Sequence, residues 1–251
     1  PILSGIPGIK QLNLELGGRI SDYSTTGTSY TYKALADWEV TDWLRFRGGY
    51  NRAERAPNIA ELYLAPQQTF AVSLAGDPCS LANPLGFSAG PNNPNAANVR
   101  ATCEALMDAT GDPNAKVNYY NAPQSNATFG FAFPSLTGNP TLEPEKADTW
   151  TAGVVINSPF SSPALARLRL AIDYYNIKVS NAIGAQSVDV ALRQCFDVGL
   201  NPTIGTDPAA AAASLFCRNV PRNTVNGGLG NVTTTFVNNG RFQTDGIDAQ
   251  L

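Results

Sequence analysis

Residues 12 to 21 alternate strictly. Leu12, Leu14, Leu16, Gly18 and Ile20 fall on one face, and Asn13, Glu15, Gly17, Arg19 and Ser21 on the other. A period of two predicts a strand with one apolar face. A polar reversal over Ser24–Ser29 leads to a second strand, in which Tyr30, Tyr32, Ala34, Ala36 and Trp38 share a face. After a tight reversal at Glu39–Asp42, Leu44, Phe46, Gly48 and Tyr50 oppose Arg45, Arg47, Gly49 and Asn51. A fourth strand sets Trp150, Ala152, Val154 and Ile156 against Thr149, Thr151, Gly153 and Val155. In a fifth, Ala166, Leu168, Leu170, Ile172 and Tyr174 oppose Arg167, Arg169, Ala171 and Asp173, and 233–251 form a sixth.

Alternation alone fits a soluble sandwich, whose polar face meets water. It fits equally a membrane barrel, whose apolar face meets lipid while its polar face lines the lumen. The connections separate the two. Glu39–Asp42 and Ser158–Pro163 are short, whereas about 90 residues part Asn51 from Lys146 and about 50 part Ser180 from Val232, lengths uncommon in compact soluble domains. Short turns on one side and long loops on the other mark transmembrane β-barrels. Tyr23, Tyr30, Trp38, Trp43, Trp150, Tyr174 and Tyr175 lie near strand ends and suit an interfacial belt. The expected fold is all-β: about six antiparallel strands of a transmembrane barrel, with long extracellular loops at about 53–145 and 181–231.

All four cysteines fall in these loops, Cys79 and Cys103 in the first and Cys195 and Cys217 in the second. A zinc site would need Cys-x-x-Cys spacing or histidines, and neither occurs. Disulfides are expected instead, in an oxidising compartment. Three connectivities are open, of which neighbour pairing keeps each bridge within one loop. Each bridge would stabilise its loop by about 3 kcal/mol. Short helices are expected to carry them: one capped by Asn95, with Val99, Cys103 and Leu106 on a face and Gly111 as its stop; one over Ser187–Phe196; and one opened by Asp207-Pro208 and the following alanines.

Composition narrows the functions. Charged residues make 15 % of the 251 positions, against about 25 % in ordinary domains. The net charge of −3 gives no basic excess for nucleic acid. Histidine is absent, which removes the commonest general base and metal ligand. No catalytic set, metal or cofactor is expected. The chain opens at Pro1 without Met or a leader, and the alternation of Gly246–Leu251 stops without a turn, so it reads as cut from something longer.

Two stretches carry a resemblance. Arg52-Ala53-Glu54-Arg55-Ala56-Pro57-Asn58-Ile59-Ala60-Glu61-Leu62-Tyr63 follows the third strand, and Asn139-Pro140-Thr141-Leu142-Glu143-Pro144-Glu145-Lys146-Ala147-Asp148-Thr149-Trp150 precedes the fourth. Both resemble the barrel of TonB-dependent outer-membrane receptors. So do Asp173-Tyr174-Tyr175-Asn176-Ile177 and the spacing of Asn238, Gly240, Thr244, Gly246, Ile247 and Asp248. Pro57, Pro140 and Pro144 cannot donate to a ladder and belong at strand ends. Arg55 is a candidate partner of Glu61, and Glu145 and Lys146 of their neighbours.

Such receptors are closed 22-stranded barrels with a plugged lumen. The resemblance therefore implies that 1–251 is an internal piece of the barrel, the plug and the remaining strands lying elsewhere. It implies a bacterial outer-membrane receptor that captures a large scarce nutrient (a ferric siderophore, a cobalamin or an oligosaccharide) and admits it when the TonB complex acts on the plug. Its partners would be that complex, the ligand and membrane lipid. The ligand would meet loop aromatics and amides and lumen arginines: Tyr119, Tyr120, Asn121, Phe129, Phe131 and Phe133, with Arg45 and Arg47. Two rivals stay open, a passive porin-like channel and a secreted β-sandwich. The latter would bind carbohydrate, or cleave it with Glu54 and Glu61 or Glu143 and Glu145.

Overall fold

The computed structural model describes residues 1–251 except 71–75, 161, 163, 164 and 166. Pro163 and Ala166, placed above in a turn and a strand, lie outside the described residues. In chain order the strands are β1 (Leu3–Ile6), β2 (Ile9–Tyr23), β3 (Gly27–Glu39), β4 (Leu44–Arg55) and β5 (Gln67–Gln68). They continue with β6 (Pro134–Thr137), β7 (Glu145–Asn157), β8 (Arg169–Ala185) and β9 (Val232–Gln250). The helices are α1 (Ile59–Tyr63), α2 (Ala96–Asp108), α3 (Ala115–Asn121), α4 (Val188–Phe196) and α5 (Pro208–Ala213). The chain divides into two compact units: a wall unit of 1–58, 141–184 and 238–251, and a loop unit of 59–140 and 185–237.

The wall unit is a curled antiparallel half-barrel in the order β1-β2-β3-β4-β7-β8-β9. The six long strands are those the alternation predicts, and the short β1 adds an edge. Gly27 takes a positive φ of 73° where β2 turns into β3, a conformation that costs glycine little. Register fixes the faces. Leu14, Ala36, Gly48, Ala152 and Tyr174 form one row across five strands, and Leu12, Trp38, Phe46, Val154 and Ile172 the next. Between them, on the opposite face, runs the row Asn13, Asp37, Arg47, Gly153 and Asp173. The apolar face is uncovered: Leu16 is 78 % exposed, Ile20 72 % and Trp150 58 %.

Aromatic side chains mark the two edges of that apolar band. Tyr32 packs on Tyr50 and Tyr50 on Trp150, with centroids 5.9 and 4.6 Å apart; at the other edge Trp38 packs on Phe46 at 5.7 Å. Tyr30 to Trp38 spans about 27 Å along the strand before tilt, which matches the roughly 25 Å apolar band of barrels that face lipid. Two expected belt members do not belong to it. Tyr175 pairs with Thr151 and Tyr23 continues the row of Arg19 and Ser21, so both lie on the polar face. Adjacent residues of a strand point oppositely, so Tyr174 and Tyr175 cannot both meet lipid.

The loop unit has a core of its own. Val99, Cys103 and Met107 of α2 are buried with Leu192, Cys195 and Phe196 of α4, Ile204, Ala211 of α5 and Val220. Cys79 bonds to Cys103 and Cys195 to Cys217, one bridge within each insertion, with Cα atoms 5.7 and 4.5 Å apart. Ser187 caps α4 by accepting from the Val190 N–H, and Asp207 caps α5 by accepting from the Ala210 N–H, ahead of Pro208 in the first turn. Asn95 stands at the α2 N-cap, but its side chain caps nothing; its carbonyl accepts from Asn98 and Val99 instead. A small sheet completes the unit: β5 runs antiparallel to β6, and β6 parallel to the start of β9.

Candidate functional site

The residues that resemble family motifs tie strands at the bases of the insertions. Arg55 and Glu145 are register partners, and the Arg55 Nε donates to Glu145 at 2.6 Å. Asn238 donates to the carbonyls of Glu143 and Asn181 and accepts the Glu143 N–H. In the loop unit, the Asn139 and Gly138 N–H groups donate to the carbonyls of Glu61 and Leu64. Leu62 and Leu142 are buried. These residues hold the insertions at their roots.

The polar face of the wall unit is a lattice of crossed charges. Arg45 pairs with Asp37, Lys33 with Glu15, and Arg47 with Asp173. The Arg47 contact spans two strands: Gly153 stands between them in the register, and the Arg47 Nε donates to Asp173 at 2.7 Å over it. A Cβ on Gly153 would lie 2.0 Å from the Asp173 carboxylate, so this glycine is what opens the passage. A hollow of 590 Å³ follows the same row, lined by Asn13, Glu15, Asp37, Arg47, Asp173 and Asp248 among others. The arginines singled out in the sequence thus do line a polar hollow, and each already has an aspartate. Those partners are legible only from the register, because Arg47 and Asp173 lie 126 residues apart.

The loop candidates divide into two groups. Tyr119 is buried, and its hydroxyl donates to Asp77 at 2.8 Å. Burial first, then the Asp77 charge, push its ionisation far above the ordinary tyrosine range. It is a packing residue. Tyr120 packs edge-on against it, with Arg100 over its ring at 4.8 Å. Its hydroxyl is buried without a hydrogen-bond partner, and burial pushes its pKa up to about 12. Asn121, the last residue of α3, is exposed.

Phe129, Phe131 and Phe133 form the second group. They alternate with Gly130 and the buried Ala132, so an extended segment turns the rings to one side. Phe129 is 68 % and Phe131 62 % exposed, and Phe131 packs on Phe133 at 6.2 Å. Phe70, which sequence reasoning missed, joins them edge-on to Phe133. Nothing in its own neighbourhood marks it; the antiparallel pairing of β5 with β6 brings it there.

The loop unit also holds a buried charge pair. Arg222 is enclosed, with Nη1 2.6 Å from Asp77, Nη2 against the Cys79 sulfur and the Phe196 ring 5.8 Å away. Burial works against its charge, but Asp77 more than offsets this and holds the guanidinium above its ordinary value. Asp77 belongs to the first insertion and Arg222 to the second, so the pair joins the two.

Among the described residues no group of His, Cys, Asp and Glu side chains could hold a metal ion, and no helix is long and apolar enough to cross a membrane. The sequence model of the TonB dependent receptor-like β-barrel family matches residues 7–102 and 105–251. No curated protein matches the chain in sequence. Among solved structures it is similar to the siderophore receptor PirA from Pseudomonas aeruginosa, at 15 % identity over 95 % of this chain and 27 % of that one, TM-score 0.47. A mutant of the ferric enterobactin receptor PfeA from Pseudomonas aeruginosa, in complex with enterobactin, gives 14 % identity over 97 % and 22 %, TM-score 0.49. A double mutant of the Serratia marcescens hemophore receptor HasR, with its hemophore HasA and heme, gives 11 % over 96 % and 26 %, TM-score 0.37. The chain spans about a quarter of the length of these receptors.

Proposed function

Because the chain belongs to the TonB-dependent receptor family, as part of its β-barrel, we propose that it serves an outer-membrane receptor for energised uptake of a large, scarce nutrient. The supporting observation is the opposition of the two faces of the wall unit. One carries uncovered Leu, Ile, Tyr and Trp between two aromatic edges. The other carries paired arginines and carboxylates around a hollow. Burying the first in lipid and the second around an aqueous, plugged lumen satisfies both. We place 1–251 within the barrel wall, with 56–144 and 186–231 as extracellular insertions and the plug elsewhere in the protein.

Ligand capture is assigned to the loop unit. The stripe of Phe129, Phe131 and Phe133 offers ring faces to a ligand with aromatic groups, and Arg45 and Arg47 offer charge-assisted contacts to an anionic one further in. Aromatic and anionic character together favour a ferric siderophore over a cobalamin or an oligosaccharide. The receptor performs no chemistry on its cargo.

Uptake of a radiolabelled panel of ferric siderophores, cobalamin and maltodextrins by cells with and without the receptor gene tests this reading. We expect one ferric siderophore to lose uptake on deletion of either the receptor or TonB. Uptake that survives TonB loss, with conductance of the purified protein in planar bilayers, would overturn it in favour of a passive channel. TonB-dependent uptake of cobalamin or glycan alone would overturn the ligand class and leave the receptor.

A further inference from the structure

On the apolar face of the wall unit, the rows beyond one aromatic edge turn charged. Two residues past Tyr50 and Trp150, toward the insertions, Arg52, Asp148 and Lys178 are register partners, and Glu54, Lys146 and Ser180 form the row after. Alternation puts all of them on the face of Tyr50 and Trp150. The two carboxylates are already engaged: Arg52 Nη1 lies 3.2 Å from Asp148 and Nε 3.9 Å from Glu54, while the Tyr50 hydroxyl also donates to Asp148. Lys146, Lys178 and Arg241 of β9 form no ion pair among the described residues. Lys178 and Arg241 line a hollow of 400 Å³ together with Asp148, Ser180 and Asn238.

We infer that this hollow holds the phosphate group of an anionic lipid headgroup, in the leaflet on the side of the long insertions. The inference rests on the membrane reading of the apolar face. Given that reading, the rows of Leu14 and Leu16 meet acyl chains, so whatever sits just past the aromatic edge on the same face is a headgroup. Three cations in excess of engaged carboxylates suit a phosphate there. Arg241 supplies a planar fork, and Lys146 and Lys178 supply point charges on stems that can lie along apolar surface. A lipid phosphate is favoured over a free one because the apolar rows below the hollow anchor the chains that carry it.

The test uses the full-length receptor in nanodiscs of phosphatidylcholine with a minor fraction of phosphatidic acid. Retained lipid is counted by native mass spectrometry after partial delipidation. The triple variant Lys146→Gln/Lys178→Gln/Arg241→Gln is expected to retain about threefold less phosphatidic acid, with phosphatidylcholine unchanged, and millimolar inorganic phosphate to displace none. Equal retention by variant and parent would overturn the inference. Displacement by inorganic phosphate would overturn the lipid assignment in favour of a free-anion site. Should the triple variant not fold, Lys178→Gln read against Lys178→Arg carries the same test. Failure of the parent receptor to insert into phosphatidylcholine alone would bring down the membrane reading together with the inference, whereas insertion without phosphatidic acid preference brings down the inference alone.

Discussion

In the wall unit Leu16, Ile20 and Trp150 lie on the surface, whereas in the loop unit Val99, Met107, Leu192 and Ile204 are fully buried. The charges invert too. Arg47 and Asp173 meet on the polar face of the wall unit around a hollow, while Arg222 and Asp77 are paired beside a disulfide within the loop core. One chain thus follows two solvation rules. A sheet satisfies its backbone through its ladders and can present an apolar face to lipid, but insertions in water must gather their apolar residues inward. The loop unit does so around a small core, with two disulfides to limit the freedom of its unfolded chain.

The comparison breaks most sharply at Asp77. Replacing it with alanine strands the buried Arg222 charge, and we expect a loss of about 3–5 kcal/mol confined to the loop unit. Hydrogen exchange of the full-length receptor should show α2 and α4 opening while β2 to β4 stay protected. A double Asp77→Leu/Arg222→Met variant should recover most of the loss, since a packed apolar pair needs no counter-charge.

Removing one bridge comes next. Cys195→Ser/Cys217→Ser should destabilise the loop unit by about 3 kcal/mol, read as faster proteolysis of 185–237 with the wall unit unaffected. If the wall unit opened equally, the two units would not be independent. For the wall unit, Leu14→Arg tests which solvent its apolar face meets. In bilayers it should cost about 2–4 kcal/mol in urea titrations, whereas Asn13→Arg on the opposite face should cost far less. Equal costs would contradict the lipid assignment.

The smallest effect concerns Tyr120. The fold holds it protonated up to a pKa of about 12, while an unfolded tyrosine ionises near 10. Above pH 10 the unfolded state therefore binds fewer protons than the native state. The stabilisation is complete below pH 10 and is lost as pH rises toward 12. Tyr120→Phe should abolish that part of the alkaline decline in chemical denaturation. At neutral pH it should be neutral or up to about 1 kcal/mol stabilising, because it removes a buried hydroxyl that has no partner.

The six long strands were legible because a period of two is local: each of Leu12, Leu14 and Leu16 reports its face without knowledge of its neighbours. The α4 and α5 starts were legible for the same reason, since Ser187 and Asp207 act on N–H groups three residues on. Asn95 has the same side-chain chemistry and yet does not cap, because its carbonyl rather than its side chain meets the first turn. α3 was missed altogether, and with it the fact that Tyr119 faces inward. Short elements such as β5 and β6 carry too few residues for any period to show.

What the sequence determined by itself was alternation, turn length and the division of cysteines between insertions, all set by neighbours along the chain. It thereby determined an apolar and a polar face and a membrane barrel as the way to satisfy both. Tertiary structure alone decided who meets whom across the register: Asp173 reaching Arg47 over Gly153, Arg222 finding Asp77, Phe70 joining Phe133. Those pairings join residues far apart in sequence, and nothing in the local pattern of either partner encodes the strand order or the packing that brings them within bonding distance.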